Sequence, residues 1–527
     1  MEGGVLKTAM TERKRIALNV AATYGRSLYA LVVGLFCGRW TYLSLGKIDY
    51  GLLGVVGGLI GFVAFFNSLM SGSVSRFYAF SVGEAQKEGN GDAGLEECRK
   101  WFSIAVMIHT VLPIILIAIG YPIGEWAVRH YLTIPADRVE SCVWVWRFAS
   151  LSCFVGMVGV PFSAMYNAKQ EIAELTIYGF ATTTLNALFG AYMITHPGVW
   201  IVKFAAWTCL LSVLPQLIIC TRAVVAYPEC RFRLAYARDW PSVGKLFCYS
   251  GSRFTVLLSQ MLANNGIGVL VNRCLGHLRN AAMSVNATVT GHCLTLSGSF
   301  SGAFSPAITN AAGAGDLEKM RNLAYATCRL ATVAVGIFAL PMILEVDEIL
   351  RLWLENPPEW TGALVACTLI CAMLDKISEG CWMSIFAVGR IAGFTAVESV
   401  FWFLILPVAY AFFRGGFDVV GAGLSFVCTN ACIIVVKLYF GRRVAGLSVR
   451  HWLTRVFLPI LCSFSVAFLA GRCLRSHMAP SLTRIVLTAL TVELALIPLV
   501  WLLVLQQAER DWLLKKLSHR FVPRSHA

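Results

Sequence analysis

The chain has 527 residues, 57% of them hydrophobic and only 14% charged, and a mean hydropathy of +0.68, more apolar surface than one water-soluble core can bury. The formal net charge of +15 would suit nucleic acid only on a continuous water-facing surface; the basic residues instead lie mostly between apolar runs, so no nucleic-acid partner is expected. No long polar stretch leaves room for a separate catalytic domain.

Apolar runs of about 20 residues, enough to cross a hydrocarbon core of about 30 Å as helix, recur from end to end. The basic start KTAMTERKR leads into a run too long, and too poor in small-residue cleavage signals, for a removable secretory leader. It is expected to stay as the first helix. Charge, Pro and Gly bound spans near 16–38, 50–82, 101–121, 141–166, 172–194 and 199–221, a six-helix lobe within residues 1–226. The basic, aromatic and proline-marked segment 227–245 reads as a cytoplasmic linker. Spans near 246–273, 281–311, 324–344, 361–388, 391–413 and 419–440 make a second lobe within 246–445. Spans near 453–471 and 484–505 add a helix pair and a basic cytoplasmic tail within 446–527. The expected fold is an all-α integral membrane protein of about 14 transmembrane helices, two pseudo-symmetric six-helix lobes plus a C-terminal helix pair. The 18 cysteines are scattered, as in CTLIC and CTNAC, without metal-ligand spacing, so they read as small helix fillers and no metal site or cofactor is expected.

Lys and Arg are retained on the cytoplasmic side during insertion. With the N-terminus inside, Lys7, Arg13, Lys14, Arg99, Lys100, Arg231, Arg233, Arg442, Arg443, Lys515 and Lys516 all fall there, which gives both termini a cytoplasmic location. Arg472, Arg475 and Arg484, near the last external turn, are an exception to that rule.

The two lobes resemble each other. LGKIDYGLLGVVGGLIGFVAFFNSLMSGSVS from Leu45 aligns without a gap on LGHLRNAAMSVNATVTGHCLTLSGSFSGAFS from Leu275, matching Gly46 with Gly276 and Gly61 with Gly291. After a shorter loop, LEECRKWFS from Leu95 runs against LEKMRNLAY from Leu317 and stays in register to Pro135 and Pro357. A six-helix repeat keeps its orientation, so this is a parallel duplication, an arrangement that favours a transporter with a cavity between lobes.

Ionisable groups within spans are the informative residues, because a charge at mid-bilayer costs at least about 2.5–3.5 kcal/mol and usually faces a wet interior. Arg26 in the first helix and Arg253 in the seventh occupy comparable places in the repeat. Facing one cleft, they would make a cationic cavity suited to a pyrophosphate, which guanidinium forks bind bidentately; snorkelling or local pairing is the alternative. Arg147, beside Trp144 and Trp146, reads as an interface anchor. Asp375 and Glu379, four apart on one helical face with Lys376 beside them, are candidates for ion coupling or gating with H+ or Na+, as is Glu398; a local ion pair near the cytoplasmic mouth would explain them equally. Asn264 and Asn265 suit either polar cavity contacts or helix packing. His109 and His292 read as hydrogen-bonded core residues.

Together with the fourteen spans and the duplication, the opening RKRIALNVAATYGRSLYALVVGLFCGRWTYLSLGKIDYGLLG and the second-span SLMSGSVSRFYAFSVGEAQKEG resemble the polysaccharide-flippase branch of the multidrug/oligosaccharidyl-lipid/polysaccharide exporter superfamily, which includes O-antigen and lipid II flippases. The resemblance covers nearly the whole chain. It implies alternating access around an anion-attracting cavity, moving an undecaprenyl-pyrophosphate-linked oligosaccharide across the bacterial cytoplasmic membrane for cell-surface polysaccharide or lipopolysaccharide biosynthesis, with a polysaccharide polymerase or assembly proteins as partners. Arg26 matches the basic first-helix position that such flippases use for the headgroup, and Arg253 is a looser match. The acidic and aromatic cluster of drug-exporting relatives is not obvious in the N-terminal lobe. A cation-coupled exporter of small amphipathic compounds on the same fold is the first alternative, and a membrane-embedded O-antigen polymerase or ligase the second. An enzyme of that kind would normally carry a sizeable external loop, and only short outer loops are expected here.

Overall fold

The computed structural model describes residues 29–30, 32–61, 65, 74, 77–78, 91–169, 171–251, 254–507 and 509–511. Arg26 and Arg253, most of the second-span motif and the basic tail lie outside them, as do Lys515 and Lys516. The described residues are helical throughout, without a strand. Ten helices are long and apolar enough to cross a membrane, and a bent helix pair makes eleven. Two further helices, 172–195 and 277–313, are long enough but richer in Thr, Asn and Ser. With the first span largely outside the described residues, fourteen is compatible with what is seen.

Helix α1 (32–61) carries left-handed backbone at Gly46, φ 72°. After α9 (Phe254–Leu275), Gly276 takes the same conformation, φ 87°, before α10 (His277–Gly313). A Cβ in that region meets the following carbonyl. The ungapped alignment that pairs Gly46 with Gly276 thus pairs two glycines with one backbone task. Repeat mates also touch. A Cβ on Gly51 would lie 2.7 Å from the Ala281 backbone nitrogen, and one on Gly54 would lie 3.0 Å from Ser284 Cβ. Both contacts join positions 230 apart, the offset of the repeat.

The spans between charged loops run longer than their apolar centres. Helix α2 (Gly91–Trp126) has 36 residues and α11 (Leu317–Leu354) has 38, against expected spans of 101–121 and 324–344. At about 1.5 Å per residue each reaches well past the hydrocarbon. The matching stretches LEECRK and LEKMRN lie in these charged extensions, which hydropathy alone assigns to loops.

Two spans are broken. α3 (Val139–Val158) gives way at Gly159 to α4 (Val160–Ala168), whose second residue is Pro161. α12 (Thr361–Lys376) and α13 (Glu379–Val388) meet at a 46° bend. At α3–α4 the break is one residue, Gly159, whose backbone stays in the right-handed helical region; the sharp bend is in the tenth expected span, in the manner of transporter helices that line a binding site.

Contacts divide the chain into two compact units, Met1–Ser284 and Val285–Ala527, with the boundary inside α10. The lobe limits at 226 and 246 stay a proposal from the sequence repeat. In the first unit α2 and α4 pack with α6 (Ile201–Ala226) around Trp101, Phe102, Met165 and Tyr166. The segment expected as a linker folds as two short helices, α7 (Leu234–Ala237) and α8 (Trp240–Gly251). It is tied to the start of α2: Lys100 Nζ pairs with Asp239 at 2.7 Å, Tyr236 donates to Glu96 at 2.6 Å, and Arg99 donates to the Pro228 carbonyl at 3.1 Å. The Lys100 ammonium, helped by the Ser242 hydroxyl, holds the Asp239 carboxyl below the usual carboxylate range. Between α4 and α6 of this unit lies α5 (Ile172–Thr195).

In the second unit α11 to α13 pack with α14 (Ala392–Arg414), α15 (Val420–Ala445), α17 (Leu458–Ser476) and α18 (Leu482–Leu499). A short α16 (Val449–Trp452) and a π-helical turn at Leu453–Phe457 lead into α17. Leu469, Leu494, Ile497 and Leu502 stay exposed, as lipid-facing side chains do. Two ion pairs tie the C-terminal segment to α11: Arg329 to the half-buried Glu509 and, fully buried, Arg484 to Glu345, both at 2.7 Å. Glu345 sits where the α11 backbone leaves helical geometry, φ −112°, four residues after Pro341.

Candidate functional site: a charged cluster at a broken span

The bend between α12 and α13 determines the site. A break inside a membrane-spanning helix frees backbone groups that need partners. The Ile377 carbonyl accepts from the Trp452 indole at 3.0 Å, and the Ser378 hydroxyl donates to the Asp375 carbonyl at 3.2 Å. Lys376 ends α12, where the helix dipole favours a cation; Glu379 begins α13, where it favours an anion. Their side chains meet at 2.9 Å. Gly380 allows the close approach of α13 to α11: a Cβ there would fall on the Ala324 carbonyl oxygen.

Asp375 joins the cluster from the other side of the bend. Its Oδ1 accepts from Lys437 of α15 at 2.8 Å, and its Oδ2 lies 3.7 Å from Lys376. Lys376, Glu379 and Lys437 are buried, with side chains 9%, 9% and 6% exposed, whereas the Asp375 side chain keeps 47%. The cluster is closed on the protein side and opens at Asp375. Glu398, buried on α14, lies near enough to act electrostatically on Lys437. Among the described residues the cluster gathers three carboxylates and two ammonium groups, side chains of the kind that exchange a proton or a small cation.

The structure brings together Asp375, Lys376, Glu379 and Glu398, and adds Lys437. Lys437 fell within the expected span 419–440 and carried the same signal as the others, an ionisable residue in an apolar run; the neighbouring basic sequence LYFGRR makes it look like part of a loop. Lys376 pairs with Glu379 as the local ion-pair reading has it, and the bend sets the group near the middle of the 361–388 segment. Asn265 stacks on Gly61, whose Cβ would lie 2.6 Å from the amide carbon, and its nitrogen donates to the Met261 carbonyl at 3.2 Å. That is helix packing. Asn264 is exposed and donates to the Gln260 carbonyl at 2.8 Å. Arg147 lies 4.7 Å over the Trp144 ring and 3.8 Å from Glu125. His109 is buried on α2.

No protein-family model and no curated protein matches the sequence. Solved structures do match in shape. A lipid II flippase, MurJ, in an inward closed conformation aligns with a TM-score of 0.64 over 94% of this chain and 100% of its own, at 11% identity. A multidrug resistance MATE family transporter of the MOP superfamily aligns in its inward-facing conformation with a TM-score of 0.62, over 80% of this chain and 94% of its own, at 16% identity. An outward-facing conformation of such a transporter gives 0.57, over 82% and 95%, at 15% identity. The chain shares the fold of these structures. It is a multi-pass membrane fold shared with transporters, as the resemblance in sequence implied, and at these identities the likeness is one of fold alone.

Proposed function

We propose that this MOP-fold protein is a flippase that moves a lipid-linked oligosaccharide, its lipid carrying a pyrophosphate, from the cytoplasmic to the outer leaflet of a bacterial cytoplasmic membrane. The observation that carries the transport reading is the charged cluster at the α12–α13 bend: a group of five ionisable side chains within a membrane fold needs a wet interior beside it, and the Asp375 side chain keeps 47% of its surface for contact with one. The choice of cargo is supported by the expected cationic pair Arg26 and Arg253 and by the alignment of a lipid II flippase over its whole length. The sugar headgroup is too polar for hydrocarbon. A cavity offers it water and positive charge while the lipid tail stays in the bilayer, so binding and a conformational swing suffice and no bond is made or broken.

In this reading both termini are cytoplasmic, and polysaccharide assembly proteins take over the delivered lipid. The carboxylates gathered at the bend support coupling to H+ or Na+. They also favour, as a second reading, a cation-coupled exporter of small amphipathic compounds. Proteoliposomes separate the two. The flippase transfers a fluorescent undecaprenyl-pyrophosphate oligosaccharide to the far leaflet, and Arg26→Ala cuts the rate at least tenfold while Arg147→Ala has little effect. Failure to move several such lipids, together with extrusion of small organic cations along an ion gradient, would sink the cargo assignment and leave the fold untouched.

A further inference from the structure

Arginines at the turn between the last two spans run against the charge bias that governs insertion, and the structure shows where they go. Arg472 and Arg475 lie three apart near the end of α17, and Arg484 lies in the first turn of α18. All three line one cavity of about 350 Å³, whose apolar wall is Ile343 and Leu344 of α11 with Phe468 of α17. Among the described residues no carboxylate lines it.

Arg484 is a built part of this site. Its side chain is only 8% exposed. One terminal nitrogen donates to Glu345 at 2.7 Å and the other to the Met478 carbonyl at 3.4 Å, while Nε is buried without a hydrogen-bond partner. Glu345 is itself spent, because it also accepts from Thr488 at 3.0 Å. Arg472 and Arg475 make no ion pair among the described residues. Two like charges three apart on a helix repel each other unless an anion sits between them and a third group. With Glu345 neutralising Arg484, the cavity keeps two uncompensated positive charges at the level where two spans end.

We infer that α11, α17 and α18 form a binding site for the phosphate of an anionic lipid headgroup, in the leaflet on the side of the α17–α18 turn. The guanidinium groups of Arg472 and Arg475 take the phosphate oxygens, and Ile343, Leu344 and Phe468 receive the apolar stem below it. An amphipathic ligand follows from that division; free phosphate in water would leave the apolar wall unused. The site is separate from the cluster at Asp375 and holds for any cargo.

The test uses the full-length protein in detergent, titrated by native mass spectrometry with dioleoylphosphatidylglycerol, dioleoylphosphatidylcholine or inorganic pyrophosphate. The wild type retains one phosphatidylglycerol in preference to phosphatidylcholine, and the double substitution Arg472→Gln/Arg475→Gln weakens that retention at least about tenfold. Phosphatidylglycerol raises the melting temperature of the wild type and leaves that of the double variant unmoved. Retention that survives the double substitution overturns the site. So does an equal loss in the control Arg442→Gln/Arg443→Gln, which points to general surface charge. Binding of pyrophosphate at this cavity without selective retention of phosphatidylglycerol overturns the lipid assignment.

Discussion

Lys437 holds together two carboxylates that would otherwise repel across a low-dielectric space, and it does so from within a helix whose other buried residues carry no charge. Removing one partner of a buried pair leaves an uncompensated charge and costs about 3–5 kcal/mol. Lys437→Met leaves three carboxylates with one ammonium, so it loses stability of about that size. Asp375→Asn removes a carboxylate whose side chain is 47% exposed; it keeps the fold and loses less. Denaturation of both variants in detergent decides the matter, and equal losses would mean that the cluster is not organised around Lys437. The same comparison shows what the sequence could say of the site. An ionisable residue inside an apolar run is visible as an exception to composition, which is how Asp375, Glu379 and Glu398 were found. Their meeting with Lys437, 62 residues further on, is set by how α12 packs on α15 and leaves no local pattern.

At the scale of elements, the close approach of α13 to α11 depends on a missing side chain. Gly380→Ala would drive a methyl into the Ala324 carbonyl, a backbone atom that cannot step aside; overpacking of that kind costs about 1–3 kcal/mol or more. Gly313→Ala, at the end of α10 with open space around the position, should be neutral or mildly stabilising, since Ala exceeds Gly as a helix former by about 1 kcal/mol. Thermal melting of the two variants tests the contrast, and similar melting points would count against tight α11–α13 packing. Helices themselves were easy to read from hydropathy, and their ends were not. The charged extensions of α2 and α11 carry too few apolar residues to register as part of a span, yet the helices run through them. The bend at Ile377 and Ser378 was hidden because both flanks are equally apolar, and nothing in TLICAMLDKISEGCWMSIF is a strong helix breaker.

For the whole molecule, the duplication seen in the sequence acquires geometry where Gly46 and Gly276 share a left-handed backbone and where Gly51 and Gly54 meet their own repeat mates. Contacts between equivalent positions mark a place that an alternating transporter must open in one half of its cycle. In a cysteine-depleted background, Gly54→Cys/Ser284→Cys should form a disulfide after a shift of a few tenths of an ångström. Oxidation should then stop transport, and reductant should restore it. Full transport by quantitatively crosslinked protein would show that this crossing never parts. Fold class, repeat and the order of spans were legible because each leaves a periodic or compositional trace over many residues; the cargo site was not, since sugars are met by scattered polar side chains. The indole of Trp452 on the Ile377 carbonyl carries one last implication, for synthesis. A ribosome delivers residue 377 to the membrane 75 residues before its partner, so until α16 arrives the broken span holds an open carbonyl within the bilayer. Biogenesis therefore has a late checkpoint, and a nascent chain halted after α15 should be the form that quality-control proteases find.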